Sequence, residues 1–446
     1  MSRRSFLRSS AGVGALALMG GGASTMLAGC GGDSSGSSAK EITFWNFYGP
    51  APDKNPQSQW FVSLVDQWNK NNDVKVKLRY LPVAEYLAGT ALQTAFQSGE
   101  GPDVFLISPG DFLRYYNGGV LADLTPKLSD EAKKDYVEGV LDTRMVDDKI
   151  YGLPMEIEPL ALYHDVKAFE AAGLSEADLP TSWDQLLDVA DKLTTNKRFG
   201  VLFETIPGYY QNFTWYPFMW MGGGEMITDG KATFDSPASV AALQFWQDSV
   251  KSGVAPRKPQ GDGAGNASAN LASGYCAMQQ TGIWSVSDLQ LNNKKFEYGV
   301  SPLPTPSGGQ YTTDLGGWAF VANAKGKNPD AAVDFVTWAL ASTDSEGVDR
   351  SRRWNTVVKT NIPPRTSVRD AADAKGAFSS PSLKAFIDKV APGGRPEPRV
   401  PPEVYKAVSD ALQAAQLDGA DAAKAAADAN ATIDGFLKTY DGAPIL

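Results

Sequence analysis

Apolar and polar positions change period in a regular order along the first third of the chain. Ile42-Thr43-Phe44-Trp45 is a short apolar run, and Trp60, Phe61, Leu64, Val65 and Trp68 then fall on one face of a helix. Val74, Val76, Leu78 and Tyr80 alternate with Lys75, Lys77 and Arg79, as a strand with one solvated face does. Tyr86 to Gln97 returns to helical spacing, and Asp103-Val104-Phe105-Leu106-Ile107 reads as a buried strand. The order β-α-β-α-β predicts a parallel sheet with right-handed crossovers. Ligands of such sheets sit outside the carboxyl ends of the strands, which nominates the loops Asn46 to Pro50 and Ser108 to Asp111.

Further along, Tyr151-Gly152-Leu153-Pro154 punctuates the chain and Ala161-Leu162-Tyr163 has strand character. Ser182-Trp183-Asp184-Gln185 has the form of a capping box opening a helix with Trp183, Leu186, Leu187, Ala190 and Leu193 on one face. Gly208 to Gly224 is dense in aromatics, a packed wall between lobes or part of a site. Gly261 to Asn270 reads as a surface loop. Asn328-Pro329 begins another helix. The Pro-rich stretch Ala391 to Pro402 separates the last helices.

The N-terminus belongs to none of these periods. Arg3-Arg4 precede a Gly/Ala-rich stretch that closes on Leu27-Ala28-Gly29-Cys30. Seven Gly, Ser or Thr residues interrupt Ala11 to Ala28, too many for a permanent membrane span. Residues 1–29 are therefore expected to be a removable export signal of the twin-arginine lipoprotein type, leaving Cys30 as the lipidated first residue. Residues 30–40, rich in Gly and Ser, form the tether. The mature chain is then expected on the outer face of the cytoplasmic membrane, held by its lipid.

A net charge of -10 with no basic run argues against nucleic acid as a partner. Cys276 is left without an intramolecular partner once Cys30 is the anchor, so it reads as a small buried residue. The single histidine, His164, makes His-rich metal sites impossible and a Ser-His-Asp triad improbable. No cofactor and no metal are expected. The remaining ~410 residues exceed what one core usually serves, so two lobes are expected.

From Ile42 to about Leu437 the chain resembles the family-one extracellular solute-binding proteins of ABC importers, the group of the maltose- and trehalose-binding proteins. Its matching pieces include Gly101-Pro102-Asp103-Val104, Gly118-Gly119-Val120-Leu121-Ala122-Asp123-Leu124-Thr125, Tyr151-Gly152-Leu153-Pro154, Thr181 to Leu187, Gly282-Ile283-Trp284, Gly316-Gly317-Trp318 and Ala331 to Phe335. Tyr163-His164-Asp165-Val166 departs locally from the family's Tyr-Asn-Lys-Asp. The resemblance implies a two-lobed α/β fold of the type II periplasmic-binding-protein kind, with a ligand cleft between lobes joined by hinge crossings. Residues 41–152 with about 318–362 would form the N-terminal lobe, and about 153–317 with 363–446 the C-terminal lobe. It implies a monomeric receptor that closes on a sugar and is recognised by a permease, not an enzyme.

Aromatic faces pack on the C–H faces of sugar rings while carboxylates, amides and Arg take the hydroxyls. By the resemblance, Trp284, Gly317 and Trp318 line the cleft, and Arg365 matches a region where relatives place an arginine facing the ligand, with Arg352, Arg353 and Arg369 competing for that role. Trp45 ends the first strand and points either to the cleft or to the core; Asp111 either accepts from the ligand or caps the next helix. Glu156 and Glu158 should share one side of an extended segment, with Glu158 favoured for the site. Asn46, Tyr48, Gln211 and Trp215 complete the candidates. Trp60, Trp68, Trp183, Trp246 and Trp338 are expected in the core. The same fold with a glycerophosphodiester, polyol or polyamine, and an exported glycoside hydrolase, are the alternatives.

Overall fold

In the computed structural model, which describes residues 40–49, 55–87 and 90–446, the first sheet is built as the periodicities require. β1 (Glu41–Asn46) is followed by α1 (Pro56–Asn71), β2 (Lys75–Tyr80), α2 (Val83–Leu87), α3 (Thr90–Gln97), β3 (Val104–Ile107) and α4 (Pro109–Asn117). β1 pairs with β2 and with β3 in parallel. Asn55 starts α1 by accepting from the Gln57 amide at 2.9 Å, ahead of Pro56 in the first turn. The predicted face of α1, Trp60, Phe61, Leu64, Val65 and Trp68, is buried against this sheet. The helix expected over 86–97 is instead two, α2 and α3, and the residues between them lie outside the described ones.

The chain then leaves the first sheet and returns to it twice. β4 (Leu153–Pro154) belongs to the first sheet, and β5 (Glu158–Asp165), β6 (Phe199–Leu202), β7 (Cys276–Gly282), β8 (Tyr298–Ser301) and β9 (Thr313–Gly316) to the second. Between β6 and β7 lies the helix α5 (Tyr209–Met221). β10 (Ala319–Ala322) completes the first sheet by lying antiparallel between β3 and β4. The first sheet is therefore mixed and not wholly parallel, in the order β2-β1-β3-β10-β4. α6 (Pro329–Ala341) and α7 (Ser345–Arg353) follow, then α8 (Thr366–Asp373), β11 (Gly394–Pro396) and α9 (Pro402–Gln416). The second sheet runs β11-β9-β5-β7-β6, with β8 also on β5.

Alternate residues of β5 feed two different cores. Leu160 and Leu162 join the cluster under α5 and α9, whereas Ala161 and Tyr163 join the one that includes Phe386 and Val390. A third cluster fills the first sheet, where the Phe44 ring meets Phe61, Phe320 and Phe335 at 4.8–5.8 Å. Cys276 is wholly buried, and burial drives its thiol far above the usual range.

Two segments cross between the sheets, Met155–Ile157 and Gly317–Trp318, and the stretch from Trp354 to Ile362 lies against them. They are laced together, the Met155 amide donating to the Trp318 carbonyl at 2.9 Å and the Ile157 amide to the Ile362 carbonyl at 2.9 Å. Gly317 has φ +131°, and a Cβ there would collide with the Glu156 carbonyl, so only glycine fits the crossing. After Ile362 the chain does not pass at once to the second sheet, as a boundary at 362 requires. α8 packs on α7, and Arg365 holds residues on the side of the first sheet. The Ser182-x-x-Gln185 box forms by half: Ser182 accepts from the Gln185 amide, but Gln185 Oε1 takes the amide and hydroxyl of Thr181.

Candidate functional site

A continuous run of aromatic rings leads from the first sheet to the second. Phe47, just past the end of β1, meets Trp318 at 4.7 Å between centroids, and Trp318 meets Tyr209 at 6.3 Å. Tyr209 stacks on Phe213 at 6.2 Å, one turn further along α5; Phe213 meets Trp284 at 6.4 Å, and Trp284 meets Tyr210 at 6.0 Å. Trp318 and Trp284 are each half-buried, and the indole of Trp284 is oriented by donating from Nε1 to the Gly265 carbonyl at 3.1 Å. α5 presents Tyr209 and Phe213 together because residues four apart share a helix face. Gly208, at φ +129°, turns the chain into that helix.

Beneath the crossings lies a charged knot. Lys359 Nζ donates to Glu158 Oε1 at 2.7 Å and to Glu156 Oε2 at 3.1 Å, with all three side chains 6% exposed or less. The Tyr48 hydroxyl donates to Glu156 Oε1 at 3.1 Å, and Trp354 Nε1 and Asn361 Nδ2 donate to Oε2. Burial, with the charge of Glu156 beside it, pushes the Glu158 carboxyl up to about 7 despite Lys359. Burial disfavours the Lys359 ammonium, yet the two carboxylates outweigh it and hold its proton more tightly than usual.

A second polar cluster sits at the amino end of α4. Glu397, in the connection from β11 to α9, accepts from the Gly110 amide at 3.0 Å and from the Tyr209 hydroxyl at 3.1 Å. Burial raises its carboxyl to about 8 against those donors and Arg144. Asp314, buried in β9, is held well above the carboxylate range by burial and by the charge of Glu397. Arg144 Nη2 donates to the Gly317 carbonyl at 2.7 Å, tying this cluster to the crossing.

The model of the family described as bacterial extracellular solute-binding protein matches residues 51–344 of this chain. The chain belongs to that family. An arabinooligosaccharide-binding protein of Bacillus subtilis is 26% identical over 337 residues, spanning 72% of this chain and 74% of the relative. A galactooligosaccharide-binding protein of the same organism is 25% identical over 419 residues, 91% of each chain. Among solved structures, an ABC transporter solute-binding protein from Thermotoga lettingae bound with α-D-tagatose superposes with a TM-score of 0.76 at 22% identity, over 90% of this chain and 100% of the other. A cyclic α-maltosyl-1,6-maltose binding protein from Arthrobacter globiformis gives 0.68 at 22% identity, over 90% and 99%. The fold is thus the two-lobed α/β fold of periplasmic sugar-binding proteins, with one sheet to each lobe.

In this solute-binding protein the expected site residues part company. Trp284, Gly317 and Trp318 lie on or beside the aromatic run. Glu158 and Glu156 do share a side, both on Lys359. Tyr48 is buried, stacked on Phe61 at 5.4 Å and bound into the charged knot. Asn46 is buried, its Oδ1 accepting the Tyr48 amide at 2.9 Å and its Nδ2 without a partner. Asp111 caps nothing: it sits in the first turn of α4, half-buried, with Arg114 at 3.6 Å. Trp45 turns to the opposite face from Phe44, with the Arg79 guanidinium 3.9 Å above its ring, lining a surface cavity of about 410 Å³ on α3.

Three candidates fall away from the aromatic run. Trp215 is wholly buried against Phe234, on the core side of α5. Gln211 is a clasp to α9, donating to Gln416 and accepting from Gln413 at 2.9 Å each. Arg365 spends its guanidinium on Asp135 at 2.7 Å and on the Leu340 and Ser342 carbonyls. Tyr209, Tyr210, Phe213, Phe47 and Glu397 stand in their place. The helical phase of α5 separates Tyr209 and Phe213 from Gln211 and Trp215.

Proposed function

We propose that this solute-binding protein is the receptor of an ABC importer for a di- or oligosaccharide, held between the lobes by cleft closure and delivered to a membrane permease. The observation that carries the reading is the aromatic run from Phe47 through Trp318, Tyr209 and Phe213 to Trp284. Its half-buried rings, Trp318, Tyr209 and Trp284, would pack on the faces of sugar rings, and the half-buried carboxylate of Asp111 in the first turn of α4 would take a hydroxyl. Oligosaccharide-binding relatives at 25–26% identity support the same class. The lobes meet at the two crossings and the Trp354 to Ile362 stretch laced to them, which serve as the hinge.

Lipidation at Cys30 after removal of residues 1–29 would anchor this monomeric receptor to the outer face of the cytoplasmic membrane. Those residues lie outside the described ones, and no described helix is long and apolar enough to cross a membrane. A thermal-shift and tryptophan-fluorescence screen over mono-, di- and oligosaccharides tests the reading, since a ligand bound only by the folded form raises the melting temperature. An oligosaccharide that stabilises the protein and is recovered uncut supports it. Stabilisation by a charged metabolite and by no sugar at millimolar concentration, or release of cleaved products, overturns it.

A further inference from the structure

We propose that Glu397 is the positioning residue through which the second lobe grips the first when the cleft closes. α4 needs acceptors for the amides of its first turn. Its own N-cap residue, Ser108, makes no capping bond from its side chain, and the Gly110 amide is instead satisfied at 3.0 Å by Glu397 from the other lobe. A carboxylate at the amino end of a helix is favoured by the helix dipole as well as by the hydrogen bond. The other oxygen of Glu397 is fixed by Tyr209, so the carboxylate is already aimed by its own lobe before it meets α4.

The same connection carries a second, complementary grip. Arg399, two residues on, reaches the Met145 and Asp142 carbonyls on the side of the first lobe, with its guanidinium 5.4 Å from the Phe112 ring of α4. Within three residues an anion meets an amide group and a cation meets carbonyl groups. Tyr209 and Trp318 close over the same gap. Glu397 is only 1% exposed in this arrangement, and parting the lobes takes away the Gly110 contact. The inference rests on reading the cleft as one that closes on a ligand.

The test uses X-ray scattering of the full-length protein without ligand, together with the affinity and dissociation rate of whichever sugar the wild type binds. Glu397→Ala should enlarge the ligand-free radius of gyration and weaken sugar binding about tenfold, through faster dissociation, because the closed population falls. Glu397→Gln keeps an acceptor for the Gly110 amide and should lose only about threefold. Gly110→Ala attacks the contact from the opposite lobe: its Cβ would stand 2.5 Å from Glu397 Oε1, although alanine itself favours the helix. It should reproduce the Glu397→Ala phenotype, and the double variant should be no worse than either single one. Scattering that is unchanged in both single variants, or effects that simply add, overturns the proposal. The scattering arm needs no sugar, so a wild type that binds none sinks the sugar reading and leaves this test standing.

Discussion

Lys359 and Glu158 meet at 2.7 Å where both side chains are nearly excluded from water, one carried by the stretch from Trp354 to Ile362 and the other by the first residue of β5. Glu156 shares the same ammonium, so one cation serves two buried carboxylates. Removing the cation leaves both without their counter-charge, a situation that typically costs about 3–5 kcal/mol. Lys359→Ala should therefore lower stability by that order in urea unfolding. A loss under about 1 kcal/mol would mean the knot is wetter than its burial implies.

The same knot sets a pH dependence. The Glu158 carboxyl is raised to about 7 in the folded protein, above its ordinary value near 4.5. A raised carboxyl binds its proton more tightly when folded, so its contribution is fully present below the unfolded value and is lost as pH rises toward 7. Stability should fall between pH 5 and pH 7 by at most about 1.4 kcal/mol per unit from this group. Glu158→Gln should flatten that slope in a urea series across the range. An unchanged slope assigns the titration to another group, Glu397 first.

The tryptophans fall into two environments. Trp318 and Trp284 are half-buried on the aromatic run, whereas Trp215 is sealed in the core. Trp318→Ala and Trp284→Ala should each weaken sugar binding in calorimetry by about ten- to a hundredfold, at a stacking worth of about 1–3 kcal/mol with its buried area. Trp215→Ala should instead cost about 3–5 kcal/mol of stability in urea unfolding, with affinity kept wherever the protein remains folded. Equal losses of affinity from Trp215 and Trp318 would contradict this division.

What the sequence made legible is what depends on neighbours along the chain. The buried face of α1 and the alternation of β2 each follow from a local period, whereas the turn expected at Tyr151-Gly152-Leu153-Pro154 is instead the strand β4, which takes its place from pairing with β10. The insertion of β10 beside β3 follows from no local period, because Phe320 reaches Phe44 across more than 270 residues of sequence, and nothing in either segment specifies the pairing. The site was half legible for the same reason. Trp284 and Trp318 announce themselves as aromatics beside glycines in the family's order. Tyr209 and Phe213 needed the helical phase of α5, which a stretch buried on nearly all sides conceals. Lys359 and Glu397 carry no local signal, since each takes its role from partners at least 188 residues away, Gly110 and Tyr209 for one and Glu156 and Glu158 for the other.

The N-terminal address makes the last prediction. Cys30 follows Leu27-Ala28-Gly29 and precedes a Gly/Ser stretch, and it lies outside the described residues. An anchor of this kind should act on location alone: stable membrane attachment takes more than one acyl chain, and a Gly/Ser tether transmits no conformational preference to the body. Cys30→Ala should move the protein from the membrane fraction to the soluble fraction and abolish incorporation of labelled fatty acid, while sugar affinity in calorimetry stays at the wild-type value. Replacing Arg3 and Arg4 by Lys should block export before lipidation, so that precursor accumulates inside the cell. Membrane attachment that survives Cys30→Ala would place the anchor elsewhere, and a loss of affinity would show that the first residues of the mature chain reach the cleft.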